Sequence, residues 1–339
     1  MSRSERIGVL GAGSWGTALA VHLARAGRPV ALWGRRPEQV AEMARSRRNP
    51  LYLSEIELPP GVAPTGDLAE VAAADVVLAV VPSHGFRTVL QRFLRAGPRV
   101  PVTLVSATKG IEADSLARMS QVTLEEGRAA DRLVRFAVLS GPTFAAELAA
   151  GMPTAAVIAA EDGALAARLQ EALATPGLRL YTSTDVVGVE LGGTAKNVVA
   201  IAAGVVAGLG LGHNTLAALI TRGLHEITRL GVACGGQPRT FSGLAGLGDL
   251  VLTCTGELSR NRATGLALAA GRTLADLEGE TRMVAEGIRS SVAVHRLARQ
   301  RQVEMPITDQ MVAVLYEGKS PRLAVEELMR RELKAESEP

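Results

Sequence analysis

The sequence predicts an α/β domain built on a doubly wound parallel sheet, followed by an all-helical domain. In the first half, short runs rich in Val, Ile and Leu alternate with helix-length segments, a pattern typical of strand–helix–strand units. After about Asp185 the strand pattern ends and only helical patterns follow. A chain of 339 residues is long enough for two domains. We therefore predict a first domain over residues 1–186 and a second over residues 187–339.

The predicted strands are short, apolar and bounded by Gly, Pro or polar residues, as buried parallel strands are. They are Ile7–Leu10, Val30–Trp33, Val76–Val81, Val102–Val105 and Phe136–Leu139, with two further candidates at Thr154–Ala160 and Leu178–Thr182. The helices predicted between them are Ser14–Ala26, Pro37–Arg47, Gly85–Arg95, Ala113–Glu126 and Gly163–Ala174. This alternation places helices on both faces of the sheet.

The second domain is predicted to be helical throughout. Its first helix consists almost wholly of small and apolar residues, so we expect it to be buried. Asp309 and Ser320 are suitable helix starts, and Pro321 fits a first helical turn. The predicted helices are Val187–Leu209, Leu216–Leu230, Glu257–Ala270, Leu274–Glu280, Met283–Arg299, Thr308–Glu317 and Ser320–Leu333.

The composition excludes several classes of protein. Hydrophobic residues make up 47% of the chain and charged residues 21%, which excludes a disordered chain. No uncharged apolar stretch reaches about 18 residues, so no membrane insertion is expected, and the nearest candidate, Asn197–Gly212, is interpreted as a buried helix. The net charge of +3 is spread over both signs and only 3% of residues are aromatic, which argues against a nucleic-acid partner.

The cysteines point to a reducing compartment. Cys234 and Cys254 are the two cysteines of the chain, which is too few for a disulfide framework, so we expect a cytoplasmic location. No spacing of Cys and His resembles a zinc site, so no metal is predicted.

Lysine is rare in this chain. Of the 37 basic residues only four are lysines, and two of these, Lys109 and Lys196, lie in mostly apolar or small-residue stretches. A desolvated lysine can lose its proton, whereas an arginine effectively cannot. Both lysines are therefore candidates for proton chemistry, and a structural ion pair is the alternative for each.

A glycine-rich turn follows the first predicted strand and opens the first helix, at Gly11-Ala12-Gly13-Ser14-Trp15-Gly16. In the Rossmann-type fold, Gly11 permits the tight turn, Gly13 lets the backbone approach a pyrophosphate, and Gly16 allows close packing of helix on strand. The helix N-terminus attracts the phosphate charge. The uncharged stretch Ile7–Val21 after Arg3 and Arg6 also resembles a secretory signal, but the glycines favour dinucleotide binding.

The end of the second strand bears on cofactor choice. Arg35 and Arg36 follow Gly34 there, and no acidic residue precedes Glu38. An acidic residue would bind the ribose hydroxyls of NAD, whereas arginine accommodates the 2′-phosphate of NADP. We expect NADP(H) to be accepted at least as well as NAD(H). The alternative is that both arginines form the solvated start of the next helix.

Four segments carry polar residues that a fold alone does not demand. Two follow predicted strands, where open α/β sheets bind ligands, and a third places Lys196 on a helix of small residues. The fourth combines Ser, Arg and Asn, a set suited to a phosphate. The segments are Ser106–Gly110, Ser140–Ala145, Gly193–Asn197, and Gly248-Asp249 through Ser259-Arg260-Asn261.

Six motifs in order give the chain a resemblance to a known family. They are GAGSWGTALA (11–20), SATKGIE (106–112), LSGPTFAAE (139–147), GGTAKNVVAIAAG (192–204), AGLGDLVLTCTGELSRNRATG (245–265) and VAEGIRS (284–290). With these motifs the chain closely resembles the bacterial NAD(P)-dependent glycerol-3-phosphate dehydrogenases, over nearly its whole length. The resemblance implies reversible hydride transfer between dihydroxyacetone phosphate and sn-glycerol 3-phosphate.

The resemblance also implies roles for individual residues. Lys196 resembles the proton donor and acceptor on the substrate oxygen, Lys109 would contact both substrate and cofactor, and Asp249 would orient the amine of Lys196. The other substrate-binding residues implied are Gly141, Thr143, Asp249, Ser259, Arg260 and Asn261. The cofactor-binding residues implied are Gly11, Gly13, Ser14, Trp15, Gly16, Arg35, Arg36, Lys109, Ala145, Arg260, Val284 and Glu286.

The chemistry agrees with these roles, and simpler interpretations stay open. Hydride arriving at a carbonyl carbon leaves negative charge on the oxygen, which a nearby ammonium stabilises and protonates. Lys196 could instead extend to water, Asp249 could only cap a helix, Ser259-Arg260-Asn261 could be a polar turn, and Glu286 could be an exposed helix residue.

Two other functions compete with this one. The first is a related reductase for a hydroxyacid or ketopantoate-type carbonyl, and the second is a non-catalytic module that senses NADP(H). The Ser259-Arg260-Asn261 cluster favours a phosphorylated substrate over the first, and the two mid-chain lysines argue against the second. The small-residue helical domain suggests a close-packed partner surface, so we expect a homodimer.

Overall fold

The computed structural model describes residues 5–98, 100–280, 286–333 and 335–336. The chain forms two compact units, one of Met1–Lys109 with Ala117–Val186, the other of Gly110–Leu116 with Val187–Pro339. The segment Gly110–Leu116 departs from the prediction, which placed all of residues 1–186 in one domain. Its assignment has a physical reason, because Ile111 is buried in the apolar core of the helical unit and the Arg296 guanidinium donates to the carbonyl of Ala113 at 2.7 Å.

The first unit contains an eight-stranded sheet, which confirms the predicted α/β class. The strand order is β3-β2-β1-β4-β5-β6-β7-β8, and neighbouring strands are parallel except for the β6–β7 pair. The strands are β1 Ile7–Leu10, β2 Val30–Trp33, β3 Val62–Thr65, β4 Val76–Ala79, β5 Val102–Ser106, β6 Val134–Ser140, β7 Thr154–Ala159 and β8 Leu178–Ser183. Strand β3 was not predicted from the sequence; it contains Pro64 and lies at the sheet edge, where a proline is tolerated.

Helices cover both faces of this sheet. Along β4, Val76 and Leu78 pack into one apolar cluster while Val77 and Ala79 pack into another, so both faces of the strand are buried. The helices are α1 Ser14–Arg25, α2 Pro37–Ser46, α3 Leu68–Ala72, α4 Ser83–Ala96, α5 Met119–Ala129, α6 Ala145–Ala149 and α7 Gly163–Leu173.

The predicted helix Ala113–Glu126 is wrong over its first turns. Helix α5 begins only at Met119, because Gly110–Leu116 belongs to the helical unit and Leu116 has a left-handed backbone with φ of 59°. The short helices α3 and α6 were also missed, since five residues are too few to show a helical period.

From residue 187 onward, the part of the second unit that the structure describes consists of helices and connecting loops, as predicted. Its helices are α8 Val186–Gly208, α9 Gly212–Ala233, α10 Pro238–Phe241, α11 Asp249–Thr255, α12 Arg260–Ala269, α13 Leu274–Glu280, α14 Glu286–Gln300, α15 Pro306–Tyr316 and α16 Pro321–Met329, with one π-helical turn at Leu244–Gly248. The prediction missed α10, the π-helical turn and α11. The predicted start of a helix at Met283 lies outside the described residues.

Helix α8 is the central helix of this unit. By length and composition alone it could cross a membrane, but 89% of its apolar 18-residue window is buried inside the protein. Small residues let it approach α12 closely, since a Cβ added at Gly204 would lie 2.0 Å from the Arg262 carbonyl oxygen. A Cβ added at Gly265 would lie 1.9 Å from the Ile201 carbonyl oxygen. The expectation of a buried helix is confirmed.

Two predicted helix starts had different outcomes. The Ser320 hydroxyl accepts the N–H of Leu323 at 3.2 Å and caps α16, as expected. Asp309 does not begin α15, which starts three residues earlier at Pro306. The first-turn amides of α15 instead donate to Glu226 of α9, from Ile307 N at 2.7 Å and Thr308 N at 3.3 Å.

Glu226 makes the stability of the protein depend on pH. Burial raises its pKa from 4.5 to about 7, against the lowering effect of the Ile307 and Thr308 amides and of Arg229. A raised folded-state pKa gives stability that is complete below pH 4.5 and lost as the pH rises through about 7. We expect the free energy of unfolding to fall by about 3 kcal/mol over this interval.

Glu226→Gln is expected to reduce this pH dependence, because the amide cannot ionise. Thermal unfolding measured at pH 5 and pH 8 checks the prediction, with Glu304→Gln as a control, since Glu304 is 73% exposed. A wild-type Tm that is equal at both pH values, or a Glu226→Gln variant as pH-dependent as the wild type, would contradict it.

Candidate active site

The glycine-rich turn has the geometry that a pyrophosphate requires. It joins β1 to α1, and Gly11 has φ of 122°, a conformation that favours glycine. A Cβ at Gly16 would lie 1.9 Å from the Gly11 carbonyl oxygen, so Gly16 is needed for close packing. A Cβ at Gly13 would have no atom within 4 Å, so open space lies beside the backbone there. Helix α1 begins at Ser14 without a side-chain cap, which leaves first-turn N–H groups for a phosphate.

Gly13 and Gly11 are expected to respond differently to substitution. Gly13→Val should fold normally, because the backbone is extended and the side chain meets open space, but it should raise KM for the dinucleotide at least about tenfold by filling the phosphate space. Gly11→Ala should cost about 2 kcal/mol of stability, because its Cβ would lie 2.4 Å from the Val80 carbonyl oxygen. Cofactor titration and thermal unfolding of both variants check this. The reverse pattern would contradict it.

The two arginines after β2 are accessible to a ligand. Arg35 is exposed and Arg36 is half-buried at the N-cap position of α2. The following Pro37 occupies the first helical position, which needs no N–H donor. Trp15 and Ala145, the other expected cofactor residues of this unit, are half-buried and pack against the core on one face of the sheet.

Lys109 lies with two of the predicted substrate residues. Its Nζ donates to the Gly141 carbonyl at 2.9 Å and lies 3.5 Å from the Thr143 hydroxyl, which itself donates to the Gly141 carbonyl at 3.1 Å. Gly141 has φ of 147°, and a Cβ there would lie 2.9 Å from Ala156 Cα. Lys109, Gly141 and Thr143 therefore form a half-buried polar cluster at the carboxyl ends of β5 and β6.

Lys196 lies in the interior of the helical unit. Its Nζ donates to Asp249 Oδ1 at 2.5 Å and to the Thr253 hydroxyl at 2.7 Å, so α8 and α11 supply the three side chains. The side chains of Lys196 and Asp249 are only 6% and 1% exposed. Lys196 therefore does not extend to water, and Asp249 is an ion-pair partner rather than a helix cap, because α11 has Gly248 at that position.

The three polar residues before α12 separate into different environments. Ser259 is the N-cap, its hydroxyl accepting the Arg262 N–H at 3.2 Å. Asn261 is buried and binds two neighbours, donating to Asn197 Oδ1 at 3.0 Å and accepting the Gly287 N–H at 3.0 Å. Arg260 is exposed at the first position of the helix. Of the three, Arg260 has the guanidinium placed to meet a dissolved anion.

The remaining predicted residues lie at the start of α14. Glu286 is its first described residue and is half-buried, and Val284 lies outside the described residues. Asn261 connects the start of α14 to α8, because it accepts from the Gly287 N–H and donates to Asn197, the neighbour of Lys196.

Thr253 and Asn197 are polar partners at this site whose contacts were not predicted from the sequence. Thr253 stands one helical turn after Asp249, a spacing that brings two side chains onto one helix face, and this could have been seen in the sequence. The nearby Cys254 is buried, and burial raises the pKa of its thiol to about 12 against the opposing effect of Lys196. It therefore stays protonated at neutral pH and supplies no nucleophile. Among the described residues, no group of three or more His, Cys, Asp or Glu could hold a metal ion.

A doubly wound sheet with this glycine turn, in one chain with a helical unit that buries a lysine–aspartate pair, defines the class of dinucleotide-dependent dehydrogenases. Two family profiles match the chain. Residues 6–166 match the N-terminus of NAD-dependent glycerol-3-phosphate dehydrogenase, and residues 185–326 match its C-terminus.

Individual relatives agree with these profiles. The glycerol-3-phosphate dehydrogenase (NAD(P)+) of Geobacter sulfurreducens is 55% identical over 342 residues, covering 98% of this chain and 99% of the relative. That of Geobacter sp. strain M21 is 54% identical, with 98% and 99% covered. The crystal structure of glycerol-3-phosphate dehydrogenase from Coxiella burnetii is 40% identical, with a TM-score of 0.91 and coverage of 97% and 99%. The chain belongs to the NAD-dependent glycerol-3-phosphate dehydrogenase family.

Proposed function

We propose that this chain catalyses the reversible NAD(P)H-dependent reduction of dihydroxyacetone phosphate to sn-glycerol 3-phosphate. The observation that carries the proposal is the buried Lys196 ammonium, held by Asp249 and Thr253 in a member of this family. An ammonium that is buried away from bulk water, with Asp249 and Thr253 fixing its position, is suited to protonate an oxygen that gains negative charge.

The nicotinamide of the bound cofactor supplies the hydride that reduces the carbonyl carbon of the substrate. Lys196 stabilises the negative charge that develops on the carbonyl oxygen and donates its proton to it. In the reverse direction the neutral amine accepts the proton of the alcohol. Asp249 and Thr253 hold the Nζ atom in one position through their 2.5 Å and 2.7 Å contacts, so the amine needs little reorganisation during the reaction.

Other residues bind the substrate in this proposal. Lys109 contacts both substrate and cofactor, with Gly141 and Thr143 completing its cluster. Arg260 binds the phosphate together with N–H groups in the first turn of α12. Ser259 and Asn261 shape this end of the helix through their hydrogen bonds. Binding the phosphate orients a substrate whose reacting part is small.

The turn Gly11–Gly16 would hold the cofactor pyrophosphate, with Ser14, Trp15, Ala145, Val284 and Glu286 along the rest of the dinucleotide. The open space beside Gly13 and the uncapped start of α1 support this placement. We further propose that the product supplies the backbone of glycerophospholipids, and that the enzyme works in the cytoplasm as a homodimer, without inserting into membranes or binding nucleic acids.

Arg35 and Arg36 are proposed to bind the 2′-phosphate of NADP(H). Replacing both by alanine is expected to raise KM for NADPH about tenfold and leave KM for NADH unchanged, because only NADPH carries the phosphate. Initial rates with each cofactor check this. Arg45→Ala is the control, since Arg45 is an exposed residue near the other end of α2, paired with Glu42 at 2.8 Å. Equal effects on both cofactors would contradict the proposal.

The activity is tested by following loss of NADPH absorbance with dihydroxyacetone phosphate, beside dihydroxyacetone, 2-oxo acids and ketopantoate. Rapid turnover of the phosphorylated ketone alone supports the proposal. Preference for a 2-oxo acid or ketopantoate would support a hydroxyacid or ketopantoate-type reductase, which the family membership does not favour. Tight NADPH binding without turnover of any of these would support a sensing module.

A further inference from the structure

The carbonyl of Ala12, inside the glycine-rich turn, accepts hydrogen bonds from two buried side-chain amides. Gln39 Nε2 donates to it at 2.9 Å and Asn49 Nδ2 donates at 3.0 Å. Gln39 is 7% exposed and Asn49 is fully buried. Both donors come from outside the turn, Gln39 from α2 and Asn49 from the segment that follows this helix.

Asn49 uses its whole hydrogen-bonding capacity in this network. Its Nδ2 donates to the Ala12 carbonyl and to the Thr17 hydroxyl, the latter at 2.8 Å. Its Oδ1 accepts from Gln39 Nε2 at 3.0 Å and from the Leu51 N–H at 3.2 Å. An amide side chain has two donor hydrogens and two acceptor lone pairs, and here all four are occupied. The network therefore fixes Asn49 against both the turn and the first helix.

Holding this carbonyl also fixes the N–H on the other side of the same peptide. The peptide between Ala12 and Gly13 is planar and trans, so its C=O and N–H point in opposite directions. With the carbonyl drawn toward Asn49 and Gln39, the Gly13 N–H points away from these amides. In the part of the chain that the structure describes, no backbone carbonyl accepts from this N–H. A Cβ at Gly13 would meet no atom within 4 Å, so this part of the turn borders open space.

We propose that Asn49, assisted by Gln39, is a positioning residue that prepares the glycine-rich turn for the diphosphate of the cofactor. The inference rests on the proposed function for the identity of the ligand. Backbone that contains Gly11 and Gly13 can adopt many conformations, and fixing one of them before binding removes that entropic cost from the binding step. Buried amides suit this task better than charged donors, because burying an unpaired charge costs much more free energy than burying a hydrogen-bonded amide.

The test compares ligands with and without a diphosphate on Asn49→Ala and Gln39→Met. Dissociation constants are measured for ADP-ribose and for adenosine by competition against the fluorescence of bound NADPH. We expect Asn49→Ala to raise the dissociation constant of ADP-ribose at least tenfold and that of adenosine less than twofold. Its kcat at saturating NADPH should stay within twofold of wild type. Gln39→Met keeps the side-chain volume, and Asn49 still donates to the Ala12 carbonyl in this variant. Its dissociation constant for ADP-ribose should therefore lie between those of the wild type and Asn49→Ala.

Ser46→Ala is the matched control, because its hydroxyl bonds to the Glu42 carbonyl at 2.8 Å and to the Arg48 carbonyl at 3.3 Å, neither of which belongs to the glycine-rich turn. Unchanged affinity for ADP-ribose in Gln39→Met and in any folded Asn49→Ala, or equal weakening of ADP-ribose and adenosine, would overturn the inference. Should Asn49→Ala not fold, Gln39→Met decides. A wild type that binds NADPH but does not turn over dihydroxyacetone phosphate would refute the proposed function alone, because the ligand comparison needs no turnover.

Discussion

Replacing Lys196 by alanine is expected to lower kcat about a thousandfold while dinucleotide binding is retained. The variant loses both the charge that stabilises the developing alkoxide and the proton donated to it, and such groups contribute about 10²–10⁴-fold each. The glycine-rich turn, which binds the dinucleotide in the proposed function, belongs to the first unit, whereas Lys196 belongs to the second, so we expect the turn to be unaffected. Single-turnover rates with saturating NADPH and dihydroxyacetone phosphate, with the dissociation constant of NADPH, check the prediction.

Two comparisons separate chemistry from folding. Lys196→Ala leaves the buried carboxylate of Asp249 without its ammonium, which is destabilising, so the double variant Lys196→Met/Asp249→Asn is measured beside it. Lys319→Ala is the control for loss of a lysine, because Lys319 pairs with Glu327 at 2.8 Å near the protein surface. Partial recovery of Lys196→Ala by added primary amines would support the proton role. Near-normal turnover of this variant would show that the proton takes another route.

Replacing Arg260 by alanine is expected to raise KM for dihydroxyacetone phosphate about a hundredfold. A guanidinium that binds a phosphate through two charge-assisted hydrogen bonds contributes about 3 kcal/mol, which corresponds to this factor. Turnover of unphosphorylated dihydroxyacetone, which we expect to be slow in the wild type, should change little in the variant, since this ketone has no phosphate to bind. Initial rates with both ketones measure the difference.

The control for Arg260 is Arg301→Ala, which removes another exposed arginine of the helical unit. Its KM for dihydroxyacetone phosphate should equal that of the wild type. An unchanged KM in Arg260→Ala would contradict phosphate binding at the start of α12 and would favour a reductase for an unphosphorylated carbonyl.

Much of the architecture was predictable because it depends on local patterns. The first two strands were predicted with the observed bounds, since buried parallel strands are short apolar runs and Gly11 marks the turn between β1 and α1. β3 was not found because Pro64 interrupts its apolar pattern. The predicted helix start at Ala113 was wrong because Gly110–Leu116 packs in the helical unit, and no local sequence pattern carries that information.

The candidate site was predictable in part for the same reason. Lys196 was distinguished by its rarity as a lysine in a stretch of small residues, and in the structure it pairs with Asp249, the residue predicted to orient its amine. Its contact with Thr253 joins residues 57 positions apart, and the contact of Asn49 with the glycine turn joins residues 37 positions apart. Pairings over such distances depend on the fold. Serine suits both a phosphate site and a helix cap, and the Ser259 hydroxyl caps α12 in the structure, while its binding of the substrate stays a prediction.

The central claim is that the amine of Lys196 protonates the oxygen of the reacting carbonyl. A crystal structure of the protein with an oxidised or reduced dinucleotide and dihydroxyacetone phosphate bound tests it most directly, through the distance from Lys196 Nζ to the C2 oxygen of the substrate. We predict about 3 Å, within hydrogen-bond reach, with the Asp249 contact preserved. A substrate oxygen far from Lys196 and bonded to a different proton donor would contradict the account.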